Sequence, residues 1–547
     1  MTGMTINQGR AAQYHRLGQW TQATLLDRWE QSVAAFGGRE FVSDNQGGRY
    51  TYQTMDQLSD RIAVLLEALG VRAGEVVTYQ ITPRCEFAAV TLACFKIGAV
   101  AAPLGLCFEG GELTSLLTLL DSRLHFSVAC YRRRERASML VQAVQDLPLL
   151  RQTVLVGGAD GPFPGLTALL DAQPLKPAPR YRGHGDDLAV ILCTSGTTRV
   201  CKAVMFTHNN IIFSEDGFNR ALGLTCEDAM FMPAPLNHAT GFHHGLISPM
   251  LCGGRLVLQE QFCCAQAVTQ MNQERCTYSM GATPFIYDLI AQLSETGEEL
   301  PYLRFYICGG APVPESLVRR AYDNHHILVC ECYGSTESVP HLFVRPEQAL
   351  EVRGRWSGEA MEGVEVRIVD ENHQPVPPGV VGEEASRGPN VFVGYWNDPE
   401  ITKKALDEEG WYYSGDLCIM DEAGHVKVVG RKKDIIIRGG ENLNINELDA
   451  NLEGCPGIVD HAVVGMPDPR LGERICAFVV CPSCQPPVTK ESVLDYLNSR
   501  HIHKRHWPER VEVIDAIPRT ESGKVKRHLL VQEVRRRMGL NERGEAI

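Results

Sequence analysis

Between Thr194 and Ala203 the chain reads Thr-Ser-Gly-Thr-Thr-Arg-Val-Cys-Lys-Ala. Five small or hydroxylic residues, Thr194, Ser195, Gly196, Thr197 and Thr198, precede a single cation, Lys202. Glycine lets backbone N–H groups approach phosphate oxygens, hydroxyls donate further hydrogen bonds, and the lysine offsets anionic charge. The segment is not a Walker A loop, which wants Gly directly before the Lys and Ser or Thr after it, where Cys201 and Ala203 stand. Val204-Met205-Phe206 then predicts a strand, not the helix of that motif. Taken alone, a Ser/Thr-rich surface turn competes with the phosphate reading.

Four more segments carry compatible chemistry. Tyr333-Gly334-Ser335-Thr336-Glu337 offers an aromatic face, hydroxyls and a carboxylate, enough for a base, a phosphate oxygen and a magnesium ion. Ser414-Gly415-Asp416 places a carboxylate on a tight turn, which suits a ribose diol. Gly430-Arg431-Lys432-Lys433-Asp434 and the run Pro518 to Arg527, with Lys524 in it, supply cations. Each alone reads more readily as a solvated charged turn; their occurrence together and in this order does not.

These segments need a scaffold. Glu75–Ile81 predicts a strand, Glu86–Ile97 a helix and Ala99–Leu104 a second strand, a βαβ unit of the kind that builds helix-covered parallel sheets. Further strands are expected at Thr153–Val156, Leu188–Leu192, Phe305–Cys308 (ending in Gly309-Gly310) and Ile327–Val329. Several run into small or polar residues at their carboxyl ends, where open α/β sheets bind ligands. From about Gly358 short strands and turns predict a β-rich subdomain, and a domain boundary is placed at Lys433/Asp434. The expected fold is α/β: a large domain of layered βα subdomains over 1–433 and a small mobile α+β domain over 434–547.

Composition agrees. The chain has 547 residues, with 44% hydrophobic and 22% charged, in the ordinary globular range and long enough for several domains. The net charge of −13 falls almost wholly on residues 1–433 and argues against a nucleic-acid partner. The 19 cysteines are scattered, which predicts reduced thiols in a cytoplasmic protein. Cys481 and Cys484 form a C-x-x-C without the second ligand pair a zinc site needs. The N-terminus lacks the apolar core of a secretory signal. Phe87–Phe108, interrupted by Lys96, Gly98 and Pro103, reads as a buried helix and strand and not as a membrane span.

The five motifs in this order resemble the adenylate-forming superfamily of acyl-CoA synthetases, peptide-synthetase adenylation domains and firefly-type luciferases. The resemblance runs from Tyr50 to Arg527, and within the family it is similar to the short- or medium-chain fatty acyl-CoA synthetases of enteric bacteria. It implies a carboxylic acid, MgATP and coenzyme A as partners: an acyl-adenylate and pyrophosphate form first, then a thioester and AMP. By motif, Thr194 to Thr198 and Lys202 cradle the β- and γ-phosphates, Thr336 contacts the α-phosphate and Glu337 holds magnesium. Tyr333, beside Gly334, stacks on adenine next to Gly309-Gly310-Ala311; Asp416, helped by Arg431, binds the ribose. Lys524 bridges the carboxylate and the α-phosphate, Lys433 is the hinge, and Gly439-Gly440-Glu441 line the pantetheine tunnel.

The resemblance also places Pro235 to Phe242 at the acid site, with His238, Thr240, Gly241, Phe242 and Phe285 around the acyl group; a core role for His238 and the aromatics stays open. No acidic partner for a substrate amine stands there, which favours an uncharged acid. His243-His244 and the His501–His506 cluster have no acid or thiol at ligand spacing; the second reads as a basic surface, with contact to the 3′-phosphate of coenzyme A as the minor reading. Arg535-Arg536-Arg537 reads as a solvated helix face, with peripheral membrane attraction as the minor reading, and the expected state is a monomer or a homodimer. Arg199, Cys201 and Ala203 replace the family's usual Gly, Pro and Gly. Two rivals follow: an aryl-acid or other adenylating enzyme that loads a carrier protein, and a catalytically silent nucleotide-binding relative.

Overall fold

The computed structural model describes residues 4, 7–145, 147–158, 161–174, 176–194, 201–310, 313–432, 434–438, 441–482, 488–520 and 523–540, and at Glu441 and Asn442 the backbone only. The chain divides into two compact units, Met1–Val366 with Ser386–Tyr412, and Arg367–Ala385 with Tyr413–Ile547.

The first unit holds two large sheets. In the nine-stranded sheet the order is Glu359–Ala360, Leu342–Phe343, Leu328–Tyr333, Phe305–Gly309, Tyr278–Gly281, Ala229–Met232, Arg255–Leu258, Glu40–Asp44 and Arg49–Thr51. In the six-stranded sheet it is Lys202–Thr207, Leu188–Thr194, Val100–Pro103, Val76–Gln80, Leu124–Val128 and Gln152–Val156. The βαβ unit expected from sequence is present, with its helix at Cys85–Ile97 and parallel pairing of its two strands. The interior strands are largely buried on both faces, as sheets covered on both sides require. Along Phe305–Gly309, Phe305 and Ile307 enter one buried cluster, while Tyr306 and Cys308 enter another on the opposite face.

The helix Cys85–Ile97 explains why its sequence looked like a candidate span. It is buried on every side, Lys96 included. The Lys96 ammonium donates to the Asp56 carbonyl at 2.7 Å and carboxylate at 2.5 Å and also pairs with Asp60, which Arg180 reaches at 2.8 Å. Burial pushes the Lys96 ammonium down against the pull of those carboxylates. Burial would likewise raise the Asp60 carboxyl, but hydrogen bonds from Arg180 and Lys96 override it and hold the group low. Among the described residues no helix is long and apolar enough to cross a membrane.

The second unit carries most of a four-stranded sheet, Glu365–Val369, Gly382–Arg387, Tyr412–Met420 and Val426–Arg431, which is the β-rich stretch expected after Gly358. It also contains a five-stranded sheet in which Gly472–Val480 pairs with Asp460–Asp468, Ile435–Arg438 and Arg510–Val513. Ile435–Arg438 and Glu441–Asn444 form a hairpin closed by the Arg438–Glu441 pair.

Removing one partner of a buried ion pair leaves the other uncompensated, so Lys96→Ala is expected to destabilise the first unit by about 3–5 kcal/mol. Urea unfolding followed through Trp29, whose indole N–H donates to Asp56 at 2.8 Å, measures it. Because the Asp60 carboxyl is depressed, its contribution is present above the unfolded carboxylate range near pH 4 and is lost as pH falls below it. An unchanged midpoint in Lys96→Ala would show that the charges are satisfied elsewhere.

Candidate active site

The hydroxyl-rich segment is the connection of an antiparallel hairpin. Leu188–Thr194 pairs with Lys202–Thr207, with Thr194 directly opposite Lys202. Ser195, Gly196, Thr197, Thr198 and Arg199 lie outside the described residues. Residues 393–396 run along the other edge of Lys202–Thr207: the Val393 N–H donates to the Met205 carbonyl and the Met205 N–H to the Gly394 carbonyl, each at 3.0 Å, and the Trp396 N–H donates to the Ala203 carbonyl at 2.8 Å. Asn210, whose side chain caps the following helix His208–Leu222 with Thr207, donates to the carbonyls of Pro389 and Val391 at 2.8 and 2.9 Å.

That pairing puts Tyr395 beside Lys202. The ammonium donates to the Tyr395 hydroxyl at 3.2 Å and lies 4.7 Å from the ring centre. The hydroxyl in turn donates to Glu337 Oε1 at 2.7 Å, and Lys202 Nζ stands 4.0 Å from the same oxygen. Burial, then the Glu337 charge and hydrogen bond, push the Tyr395 phenol well up, so it remains a donor. The carboxylate side chain is 10% exposed and the lysine 36%, so the lysine keeps a solvent side on which to meet an anion.

Glu337 arrives on a turn at the end of Leu328–Tyr333, and its carbonyl accepts from the Phe392 N–H at 2.8 Å. The turn is tight. A Cβ on Gly334 would stand 2.4 Å from the Val339 carbonyl oxygen, and buried Val339 adopts φ +51°, a costly region for a β-branched residue. Tyr333 lies edge-on to His341, with ring centres 5.7 Å apart. On the neighbouring parallel strand Gly309 pairs with Cys332, and Gly310 follows at φ +80°. Gly309, Gly310, Tyr333, Gly334, half-buried Thr336 and Glu337 therefore lie at or just beyond the carboxyl ends of two adjacent parallel strands, whereas Ala311 lies outside the described residues.

In the second unit Asp416 and Arg431 are cross-strand partners, with Arg431 Nε 2.6 Å from Asp416 Oδ1. Asp416 is buried at the strand bend, where Gly415 takes φ +75° and donates to Glu383 at 2.9 Å. Lys432 pairs with the same Glu383 at 2.5 Å. Exposed Lys524 stands on a tight turn, its N–H donating to Thr520 Oγ1 at 3.0 Å and its carbonyl accepting from the Thr520 N–H at 2.7 Å. Lys433, Gly439, Gly440 and the Glu441 side chain lie outside the described residues.

The acid-site segment turns into an eight-residue π-helix, Thr240–Ile247, a rare form frequent at functional sites. Gly241 is required there, since a Cβ would lie 2.2 Å from the Pro235 carbonyl oxygen. His238 is half-buried, with Nδ1 accepting from the Thr240 N–H at 3.3 Å. Phe242 is wholly buried in the first cluster, whereas half-buried Phe285 packs with the second, edge-on to Phe262 at 5.0 Å. Sequence spacing offers His243-His244 no acidic partner; the fold supplies one. Buried Glu215, on the helix His208–Leu222, accepts from His244 Nδ1 at 2.9 Å and lies 3.8 Å from His243 Nδ1.

Residues 29–396 match the family described as AMP-binding enzyme, and residues 447–524 match the AMP-binding enzyme C-terminal domain. The medium-chain fatty-acid–CoA ligase of Escherichia coli (strain K12) is 41% identical, covering 98% of this chain and 94% of its own. A feruloyl-CoA synthase from an Amycolatopsis species is 32% identical over 94% of this chain and 99% of its own. ATP-bound MatB from Rhodopseudomonas palustris superposes with a TM-score of 0.85 at 26% identity, covering 95% of this chain and all of that one.

The chain belongs to the AMP-binding enzymes. The resemblance read from its motifs is borne out, as is the α/β fold. Reading the sequence as a member of this family still missed Tyr395, which follows Gly394 at the end of an apolar run and lies 193 positions from Lys202. It also missed Glu383 and Glu215, each of which serves its partners only through the folded chain. Hydrogen bonds to charged groups contribute about 1.5–3 kcal/mol, so Tyr395→Phe is expected to weaken MgATP binding by about tenfold to a hundredfold. Titration calorimetry measures this; full affinity in the variant would remove Tyr395 from the site.

Proposed function

We propose that the chain is an ATP-dependent acyl-CoA synthetase that converts a short- to medium-chain fatty acid, ATP and coenzyme A to acyl-CoA, AMP and pyrophosphate through an acyl-adenylate. The observation that carries the reading is the Lys202–Tyr395–Glu337 chain at a strand edge in a member of the AMP-binding family. A carboxylate and a triphosphate are both anions, and bringing them together needs fixed positive charge in a partly dry place. Lys202 supplies that charge on its exposed side, with Thr194, Ser195, Gly196, Thr197 and Thr198 as donors to the β- and γ-phosphates. Thr336 donates to the α-phosphate, and Tyr333 with Gly309, Gly310 and Ala311 frames the adenine.

Glu337 fits a magnesium ion. Its carboxylate stands next to the Tyr395 hydroxyl and 4.0 Å from the half-exposed Lys202 ammonium, and magnesium is commonly held by one or two carboxylates with phosphate and water completing its shell. When bound, the ion neutralises phosphate charge. Asp416, oriented and charge-balanced by Arg431, binds the ribose hydroxyls.

In this reading residues 434–547 turn about Lys433 between the two half-reactions, Lys524 serves the first, and Gly439, Gly440 and Glu441 pass the thiol arm in the second. His238, Thr240, Gly241 and Phe242 sit at the acid, with Phe285 at its far end. The acid's length is taken from the Escherichia coli relative, which is named for medium-chain fatty acids.

Lys524→Ala is expected to abolish acyl-AMP formation while sparing thioester synthesis from supplied acyl-AMP; equal losses in both half-reactions would remove the proposed division of labour. Thioester yield with free coenzyme A, over acids from acetate to palmitate with ferulate as an aryl arm, is expected to peak at medium chain length. A ferulate maximum would move the substrate class to aryl acids. A need for added carrier protein would replace coenzyme A as acceptor, and absence of acid-dependent ATP–pyrophosphate exchange would leave a silent relative.

A further inference from the structure

The hairpin that carries Thr194 and Lys202 has a second face. Strand alternation sends Val190, Leu192 and Val204 into the first cluster, and Ile191, Ala203 and Met205 into a third cluster on the opposite face, with Cys193 packed against it. Cys193 is the direct cross-strand partner of Ala203. Cys201, two residues before Ala203, shares that face and stands diagonally across from Cys193. Cys201 Sγ donates to the carbonyl of Thr194, the residue next to Cys193, at 2.8 Å. Both cysteines are free and only half-buried, within reach of a small oxidant. Each is covalently next to a residue of the proposed phosphate site, Cys193 to Thr194 and Cys201 to Lys202.

We propose that Cys193 and Cys201 form a reversible disulfide that switches off nucleotide use by displacing Thr194 and Lys202. The regulatory half rests on the synthetase reading; the bond itself does not. Hydrogen peroxide is a sufficient oxidant. The Cys201 thiolate attacks one peroxide oxygen, the O–O bond breaks, and the hydroxide released takes a proton to become water, leaving a sulfenic acid on Cys201. The Cys193 sulfur attacks the Cys201 sulfur, the S–O bond breaks, and the departing hydroxide takes the Cys193 proton as a second water. Two thiols are oxidised and one peroxide is reduced to two waters. The neighbouring Cys201 thiol, followed by burial, pushes the Cys193 thiol well up, so Cys193 keeps its proton until it attacks. Once in the disulfide, Cys201 has no proton for the Thr194 carbonyl, and the end of the hairpin must shift.

Trypsin cuts after Arg199, so the two cysteines fall on separate peptides and a disulfide joins them. The full chain is treated with peroxide, free thiols are alkylated, and the unreduced digest is read by mass spectrometry alongside acid-dependent ATP–pyrophosphate exchange. The expected result is a Cys193–Cys201 cross-link, lost on dithiothreitol. Exchange should fall in step with it, on the order of a hundredfold, the cost of misplacing a catalytic group by about 1 Å, and return with the reductant. Cys193→Ala and Cys201→Ser, whose hydroxyl still donates to the Thr194 carbonyl, should each keep untreated exchange and resist peroxide. Recovery of both cysteines as alkylated single peptides overturns the pairing, and a cross-link without loss of exchange overturns the switch. A protein with no exchange before peroxide contradicts the synthetase reading instead; the cross-link is scored in the same sample, and ATP calorimetry then reads the switch.

Discussion

A carboxylate that is nearly removed from water must be satisfied locally, and in the first unit that constraint fixes the geometry around Glu337. Its Oε1 accepts from the Tyr395 hydroxyl at 2.7 Å and faces the Lys202 ammonium 4.0 Å away. Taking two charges out of water costs several kcal/mol each unless hydrogen bonds fill their lone pairs, so the phenol between them determines whether the pair is tolerable. Much of the neighbouring backbone serves that phenol. Residues 393–396 pair along Lys202–Thr207, Asn210 ties 389 and 391 to the helix that follows, and the Phe392 N–H holds the Glu337 carbonyl. Shifting the pairing of 393–396 along Lys202–Thr207 by a residue would turn the Tyr395 side chain away from Lys202.

The second unit handles its charges differently. Asp416 and Arg431 face each other across one antiparallel ladder, and Glu383 takes both the Lys432 ammonium and the Gly415 N–H. These are short-range pairs within one small sheet, and each reaches the surface through its cation, the Arg431 and Lys432 side chains being half exposed. In the first unit the carboxylate is deep and its lysine is shared with the solvent. In the second the deep carboxylate is Asp416 and the exposed partner is an arginine. The pattern of a buried acid with a reachable base recurs on both sides, and it is suited to ligands that bring several oxygens of their own.

Much of this was legible in the sequence because the relevant residues are neighbours there. The strands before Thr194, Gly309 and Tyr333 announce themselves as short apolar runs ending in small or polar residues, and Asp416 follows a glycine that must take positive φ. Where function depends on contacts across long separations, no periodicity reports it. Tyr395 looks like one more aromatic in an apolar stretch until the sheet places it beside Lys202. The π-helix is hidden for another reason: Thr240–Ile247 has the composition of an ordinary buried helix, and the wider turn is set by the close passage of Gly241 past the Pro235 carbonyl.

The buried histidines show how far composition can mislead. His243 and His244 are adjacent in a segment with no acid nearby, so sequence distance argues against a charged cluster, yet the helix His208–Leu222 brings Glu215 against both. Burial, with His244 adding to it, pushes His243 well below its ordinary range, so it is neutral, and the Glu215 carboxylate rests on a single hydrogen bond from His244. Glu215 Oε1, both His243 ring nitrogens and His244 Nε2 have no partner among the described residues. Unpaired polar atoms so deep cost free energy that apolar side chains of similar volume would not. The segment proposed as the acid-binding wall is therefore backed by a polar interior and not by apolar packing alone.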